Sequence, residues 1–128
     1  MKKLFAICAL AAALYACGGG SQPAKTDAAP ATSSTDLSDN PVYKKGLTLI
    51  GGSDCLTCHK IDETLTGPAY REVANKYAGA ADTTVTRLAE KIISGGKGVW
   101  GSIPMTPHPQ ISLDDAKAMV QYVLLLKK

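Results

Sequence analysis

Cys55-Leu56-Thr57-Cys58-His59 is the stretch with the clearest chemical meaning in this chain. Its spacing, C-x-x-C-H, is typical of a site at which a c-type haem is attached. Two thiols in one tight turn can form thioether bonds to the two vinyl groups on one edge of a haem. The histidine after the second cysteine would then lie under the ring, and a neutral imidazole is a good ligand for iron. We therefore predict that Cys55, Cys58 and His59 bind haem.

Three other interpretations of the cysteine pair are weaker. A redox dithiol of the C-x-x-C type belongs to a βαβ setting, and no parallel-strand pattern flanks Cys55 and Cys58. A structural zinc site needs a second pair of ligands at a defined spacing, and the other candidate, His108, stands alone. The third interpretation is a chance match, since motifs of five residues do recur.

Length and composition indicate one ordinary globular domain in a chain of 128 residues with 45% hydrophobic and 20% charged residues. The net charge is +3, and without Lys2 and Lys3, which lie in a segment predicted to be cleaved, it is about +1. This balance gives no reason to expect nucleic-acid binding. Cys8 and Cys17 fall in the N-terminal segment, so no cysteine is left for a structural disulfide.

Residues 1–16 have the organisation of a secretory signal peptide, with Lys2-Lys3 before an apolar run. The run has about 13 residues, too few to cross a bilayer core of about 30 Å as a helix. It ends in Leu14-Tyr15-Ala16-Cys17-Gly18, which resembles the lipobox of bacterial lipoproteins. In such proteins the cysteine is acylated and becomes the new N-terminus, so we expect lipidation of Cys17. The alternative is a plain signal peptide that releases a soluble protein.

Residues 17–38 are predicted to form a flexible tether after the acylated cysteine. The segment consists mainly of Gly, Ser, Thr, Ala, Pro and Asp, and it cannot bury enough apolar surface to offset the entropy of ordering. A tether of about 20 residues has a root-mean-square span of roughly 25 Å and a fully extended reach of about 70 Å. A haem domain at residues 39–128 could thus search the membrane surface.

The first predicted helix of the domain begins at Asn40-Pro41, with Asn40 or Asp39 as the N-cap. Gly51-Gly52 should end it directly before the haem motif. Gly46 costs about 1 kcal/mol relative to alanine inside a helix, so we expect it to permit a close helix crossing. Apolar residues recur at helical spacing: Val42, Tyr43, Gly46, Leu47 and Ile50.

Three further helices are predicted after the haem motif. The first runs from about Ala69 to Tyr77, the second from an N-cap at Asp82 to Gly95-Gly96, and the last begins with a capping-box pattern at residues 112–115. Their predicted inward-facing residues are Val73, Ala74, Tyr77, Val85, Leu88, Ala89, Ile92, Ile93, Ala116, Met119, Val120, Val123 and Leu124. With no strand pattern and no internal repeat, the domain is predicted to be all-α. Its core should be thin, with the haem as its apolar centre.

The second face of the iron needs another ligand or stays open. Met105 lies about 46 residues after His59 in a segment whose three prolines exclude a helix and favour a stiff, extended loop. A thioether binds ferrous iron well, and methionine is unusual as core filler in a loop. We therefore predict Met105 as the second ligand. His108, between Pro107 and Pro109, is the rival, and it is expected to point outward or to support a ligand without touching the iron.

Several motifs in the same order make residues 38–128 similar to the small bacterial class I monohaem cytochromes c, of the c-551 and c-552 type. The motifs are Cys55-x-x-Cys58-His59, Thr66-Gly67-Pro68-Ala69-Tyr70, Val73-Ala74-x-Lys76-Tyr77, Gly98-Val99-Trp100-Gly101, Ile103-Pro104-Met105 and the closing helix. The resemblance implies the class I cytochrome c fold, with about four to five helices wrapped around one covalently bound haem c.

The resemblance also implies the residues that bind the cofactor: Cys55, Cys58, His59, Pro68, Trp100 and Met105. The cysteines would carry the thioether bonds, and His59 and Met105 would be the axial ligands. The carbonyl group of Pro68 would accept a hydrogen bond from the second nitrogen of His59. The indole N–H of Trp100 would donate to a haem propionate.

Two further features follow from the resemblance. The first and last helices would cross near Gly46 and Tyr122. Members of the group often have an asparagine three residues after the methionine, where it donates to the sulfur. His108 occupies that position here, so the chain departs from the group's pattern at the residue that tunes the bond between methionine and iron.

Together these predictions describe a lipid-anchored electron carrier on the periplasmic side of a bacterial membrane. It would shuttle single electrons between membrane-associated respiratory redox complexes, because His/Met ligation leaves no open iron position and raises the potential. We expect a monomer with no small-molecule substrate, and therefore not an enzyme. Two alternatives remain: a haem-based gas sensor in which Met105 is displaced, and a fixed haem subunit of an oxidase or reductase complex.

Overall fold

The computed structural model of the protein describes residues 37–128. The predicted signal peptide at 1–16, the lipidation site Cys17 and almost all of the predicted tether at 17–38 lie outside the described residues. Within the described range, no helix has the length and apolar character needed to span a bilayer.

Four α-helices and one small hairpin make up residues 37–128. The elements are α1 (Pro41–Gly51), α2 (Tyr70–Lys76), α3 (Thr83–Ser94), β1 (Gly96–Gly98), β2 (Gly101–Met105) and α4 (Leu113–Leu125). Short 3-10 turns lie at Leu37–Asp39 and Asp54–Thr57. The predicted helical class is confirmed, since α-helices are the main regular structure in this range.

Two of the three predicted N-cap residues make the expected capping hydrogen bond with their side chains. The side chain of Asn40 accepts hydrogen bonds from the backbone N–H groups of Val42 and Tyr43, at 2.9 and 3.3 Å. The hydroxyl oxygen of Ser112 accepts from the N–H of Asp115 at 3.1 Å. Asp82 precedes α3 but makes no capping bond with its side chain. Its backbone is already helical, with φ −55° and ψ −28°, whereas a capping residue is typically extended.

Helix α4 packs against the other three helices and crosses α1 very closely. A Cβ atom built on Gly46 would lie 2.3 Å from Cβ of Tyr122 and 2.6 Å from the carbonyl oxygen of Ala118. The predicted crossing of the first and last helices near Gly46 and Tyr122 is therefore confirmed. Tyr122 is 1% exposed, and burial raises the pKa of its phenol to about 12, with further contributions from Tyr43.

The core consists of two clusters of buried residues, and α4 contributes to both. The first contains Ile50, Tyr70, Ala74, Met119, Tyr122, Val123 and Leu126, and the second Ala89, Ala116 and Val120. Of the predicted apolar face of α1, Val42 and Leu47 are exposed, so the prediction was wrong for these two. The buried stripe of α1 is narrow because the contact runs along Gly46 and Ile50, one turn apart.

The hairpin was not predicted from the sequence. Strands β1 and β2 pair antiparallel, with Gly98 opposite Gly101 across a turn at residues 99–100 and an irregularity between Gly96 and Gly98. Glycine is depleted in strands and proline is confined to their edges, so a segment with three glycines and Pro104 carries no local strand signal. Gly96 and Gly101 have φ values of 90° and 109°, which explains why glycine occupies these positions.

Candidate functional site

One cavity brings together all the residues that were predicted to bind the cofactor. It has a volume of about 330 Å³, within the range of about 300–1,000 Å³ that is common for ligand and cofactor pockets. Its walls include Cys55, Cys58, His59, Pro68, Trp100 and Met105. The remaining lining is mostly apolar and comes from all four helices and the hairpin.

The cysteine motif forms a tight turn directly after α1. The carbonyl oxygen of Cys55 accepts the backbone N–H groups of Cys58 and His59, at 3.2 and 3.0 Å. Both cysteines are half-buried, and neither forms a disulfide. Burial raises the pKa of the Cys55 thiol, and the neighbouring charge of Asp54 raises it further. The turn thus directs two thiols and an imidazole to the same cavity.

The imidazole of His59 has a fixed orientation. Its Nδ1 lies 2.8 Å from the carbonyl oxygen of Pro68. A carbonyl oxygen only accepts, so Nδ1 donates its proton and Nε2 keeps its lone pair. The contact has the geometry that the family resemblance implies for Pro68. Such a bond sets the tautomer of a metal-binding histidine and increases its basicity.

Two further residues hold the His59 ring, and neither role was predicted from the sequence. A Cβ atom on Gly67 would lie 2.4 Å from Cε1 of His59, so no side chain fits there with the ring in place. On another side, the ring of Tyr70 stacks on the imidazole, with centroids 5.2 Å apart and planes at 17°. Burial raises the pKa of Tyr70 well above its usual range, which keeps the phenol neutral. The sequence offered one indication of these roles: Gly67 directly precedes Pro68, and Tyr70 follows it by two residues.

The hairpin carries the two remaining predicted residues. Met105 ends β2, and Trp100 lies in the turn with 40% of its surface exposed. The ammonium group of Lys76 lies 5.3 Å from the centroid of the Trp100 ring, within the range of a cation–π contact. Gly95 supports the segment after Met105, because a Cβ atom there would meet the carbonyl oxygen of Met105 at 2.5 Å.

His108 does not point outward, so that part of the prediction was wrong. It is 7% exposed, and its backbone N–H donates to the carbonyl oxygens of Ile92 and Ile93, both at 3.1 Å. In its ring, Nδ1 lies 3.3 Å from the same carbonyl oxygen of Ile92, and Nε2 lies 3.1 Å from a carboxylate oxygen of Asp54. The last carbonyl groups of α3 have no partner within the helix. Because they accept the N–H of His108, this residue lies against α3 and not at the surface. The role of Asp54 was also missed.

The available donors fit a haem better than a zinc ion. Among residues 37–128, no group of three or more His, Cys, Asp or Glu side chains is arranged to hold a metal ion. The cavity instead combines two thiols, from Cys55 and Cys58, with apolar walls. Two imidazoles, of His59 and His108, and two thioethers, of Met105 and Met119, also border it. This set matches covalent attachment of a macrocycle together with two axial donors to iron.

Comparison with known proteins identifies the family. The family model for cytochrome c matches residues 43–127, which include the whole cysteine turn and the hairpin. The chain belongs to the cytochrome c family. Its relatives are the small class I monohaem proteins, as the sequence resemblance indicated.

Individual relatives of this cytochrome c match over most of their length. Cytochrome c-551 of Allochromatium vinosum is 41% identical over 70% of this chain and 95% of the relative. Cytochrome c-552 of Nitrosomonas europaea is 44% identical over 59% of this chain and 72% of the relative. The crystal structure of the Nitrosomonas europaea protein covers 63% of this chain and 99% of its own, with a TM-score of 0.59. The predicted class I fold is therefore confirmed.

The family membership establishes the cofactor and the general function. This cytochrome c binds one covalently attached haem c, as predicted. It is a haem-based electron carrier. The cavity fits such a group, because apolar side chains and sulfur and nitrogen donors line the same space.

Proposed function

We propose that this cytochrome c carries single electrons through a haem whose iron is ligated by His59 and Met105, with Cys55 and Cys58 as the attachment points. The observation that carries the proposal is that all four side chains line one cavity of about 330 Å³. When bound, the haem supplies the ferric/ferrous couple. Ligation by histidine and methionine leaves no open position and raises the potential, which favours electron transfer over ligand chemistry.

The residues of the chain orient and tune the ligands. Donation from Nδ1 of His59 to Pro68 at 2.8 Å turns Nε2 toward the metal side and strengthens it as a donor. Gly67 and Tyr70 limit the rotation of the ring. With His59 and Met105 both bound to the iron, no position would remain for a substrate. The protein is therefore proposed to be an electron carrier and not an enzyme, and we expect it to be a monomer.

Trp100 is proposed to donate its indole N–H to a haem propionate. Support comes from its place in the turn of the hairpin, where it lines the same cavity as Met105. Lys76, whose ammonium group lies over the Trp100 ring, adds a positive charge beside the indole. A propionate beside Trp100 would gain the indole N–H as a hydrogen-bond donor and the ammonium group of Lys76 as a favourable charge.

The carrier is proposed to work on the periplasmic side of a bacterial membrane, between membrane-associated respiratory redox complexes. The support is the sequence of residues 1–38: a signal peptide at 1–16, a lipobox-like end at Cys17 and a tether up to residue 38. The haem domain then spans residues 39–128. Replacing Cys17 with serine should release a red, redox-active protein into the soluble fraction. A variant that stays with the membranes or lacks haem would argue against the anchor.

The ligation is tested by the weak red absorption band that arises from sulfur-to-ferric-iron charge transfer. Wild type should show the band, and Met105→Ala should lose it and have a lower reduction potential. Met119→Leu is the matched control, because Met119 also borders the cavity but belongs to the core, with 3% exposure. It should keep the band. A band absent from wild type, together with a spectrum that changes only in a His108→Ala variant, would overturn the assignment.

Carbon monoxide separates the carrier from the gas-sensor alternative. Ferrous wild type should resist the gas at neutral pH, since Met105 occupies the position that the gas needs. Met105→Ala should bind it readily. Equal and rapid binding by wild type and the variant would contradict the proposed ligation.

A further inference from the structure

We propose that His108 is a positioning residue that holds the Met105 loop, residues 105–109, against both the cysteine turn and the end of α3. The inference rests on the proposed ligation by Met105. It assigns His108 a role through the backbone of the loop, in place of a direct contact with the sulfur. Hydrogen bonds hold the loop on two sides.

On the first side, the loop is bound to the C-terminal end of α3. The backbone N–H of His108 donates to the carbonyl groups of Ile92 and Ile93 at 3.1 Å, and Nδ1 lies 3.3 Å from the first of these. Both carbonyl groups belong to the last turn of α3, where they have no partner within the helix. Gly95 permits this approach, because a Cβ atom there would lie 2.7 Å from the nitrogen of Pro107.

On the second side, the imidazole reaches the cysteine turn. Nε2 of His108 lies 3.1 Å from a carboxylate oxygen of Asp54, a residue 54 positions earlier in the chain. Asp54 directly precedes Cys55, whose carbonyl group closes the turn that presents His59. The bond from Nε2 therefore connects the two halves of the site, one with each proposed axial ligand. A proton on Nε2 is enough for it, and both the imidazolium and one neutral tautomer provide that proton.

The two side chains joined by this hydrogen bond differ strongly in their exposure to solvent. The side chain of His108 is 10% exposed, whereas that of Asp54 is 67% exposed. The imidazole is thus held among protein groups, and a carboxylate at the surface anchors it. Substitution of Asp54 removes the anchor without opening the core.

The test is the binding of added imidazole to the ferric holoprotein, which competes with Met105 and abolishes the red charge-transfer band. Hydrogen bonds that involve a charged group are stronger than those between neutral groups, and the exposure of the Asp54 carboxylate weakens this one. We expect His108→Ala to bind imidazole about tenfold more tightly than wild type, equivalent to about 1.4 kcal/mol. Asp54→Ala should bind it about threefold more tightly, with the band of the unliganded protein unchanged in energy.

A double variant shows whether the two residues act together. If His108 acts partly through Asp54, the effects are not additive, and the double variant should bind imidazole no more tightly than His108→Ala alone. Asp39→Ala is the matched control, because Asp39 forms an exposed ion pair with Lys44 at 3.0 Å, away from the cavity lining. It should leave the affinity for imidazole unchanged.

The outcomes that would overturn the proposal or its basis fall into three groups. Additive effects, or an Asp54→Ala variant that behaves like Asp39→Ala, would refute the connection through Asp54. A shift of the band energy in His108→Ala alone would indicate direct action on the sulfur. A wild type with no red band would refute ligation by Met105, and with it the inference, whereas the first two outcomes leave that ligation intact. Asp54→Ala alters an exposed side chain, so the test does not depend on the folding of His108→Ala.

Discussion

Replacement of Gly46 with alanine should destabilise the protein, although alanine is the better helix former. Alanine gains about 1 kcal/mol over glycine within a helix. Its Cβ atom would lie 2.3 Å from Cβ of Tyr122 and 2.6 Å from the backbone oxygen of Ala118, whereas carbon atoms pack at about 3.5–4.0 Å. Neither contact atom can rotate away, so α1 and α4 must separate by more than about 1 Å.

Such overpacking costs about 1–3 kcal/mol, and the upper value applies here because the obstacles are a Cβ atom and a backbone oxygen. After the gain in helix propensity, we expect a net loss of about 2 kcal/mol in the free energy of unfolding. For a domain of this size, that corresponds to a fall in Tm of about 8–16 °C.

Gly51→Ala is the matched control in the same helix. Gly51 is the last residue of α1, and a Cβ atom there meets nothing within 4 Å. This variant should be as stable as wild type or more stable by less than about 1 kcal/mol. Guanidinium unfolding of the ferric holoprotein, followed by far-ultraviolet circular dichroism, measures both variants. If Gly46→Ala proves as stable as Gly51→Ala, the argument from the close crossing is refuted.

Three further predictions concern the site and the surface. Gly67→Ala should displace the His59 ring, which a Cβ atom would approach to 2.4 Å. Losing a hydrogen bond of about 1 kcal/mol that favours ferric iron should raise the reduction potential by roughly 40 mV, and an unchanged potential would contradict this. Trp100→Phe should alter the pH dependence of the potential, whereas a change in stability alone would indicate a packing role. A hydrogen bond from Arg71 lowers the pKa of Asp62, so its contribution is present above the unfolded pKa and lost as the pH falls through the folded pKa. Asp62→Asn should therefore flatten the fall of Tm in acid, and identical pH profiles would disprove the coupling.

Features fixed by local chemistry were predictable from the sequence. The cysteine motif predicted the type of cofactor because its spacing suits only a few kinds of site. The starts of α1 and α4 followed from Asn40 and Ser112, since capping acts within three residues. The end of α3 at Gly95 followed from glycine's tolerance of positive φ, here 63°. Met105 was predicted from its flanking prolines and the family pattern, and its role as ligand stays a prediction.

Only the tertiary structure decided what lies beside these groups. Asp54 and His108 are 54 residues apart and meet because the loop after Met105 packs on the end of α3 and brings the imidazole to the cysteine turn. Gly67 is required by the ring of His59, eight residues earlier. The hairpin has no local strand signal, because its pairing depends on glycines that accept positive φ values. Spacing along the chain determines which donors are available, whereas packing between distant segments determines which of them meet and how firmly each is held.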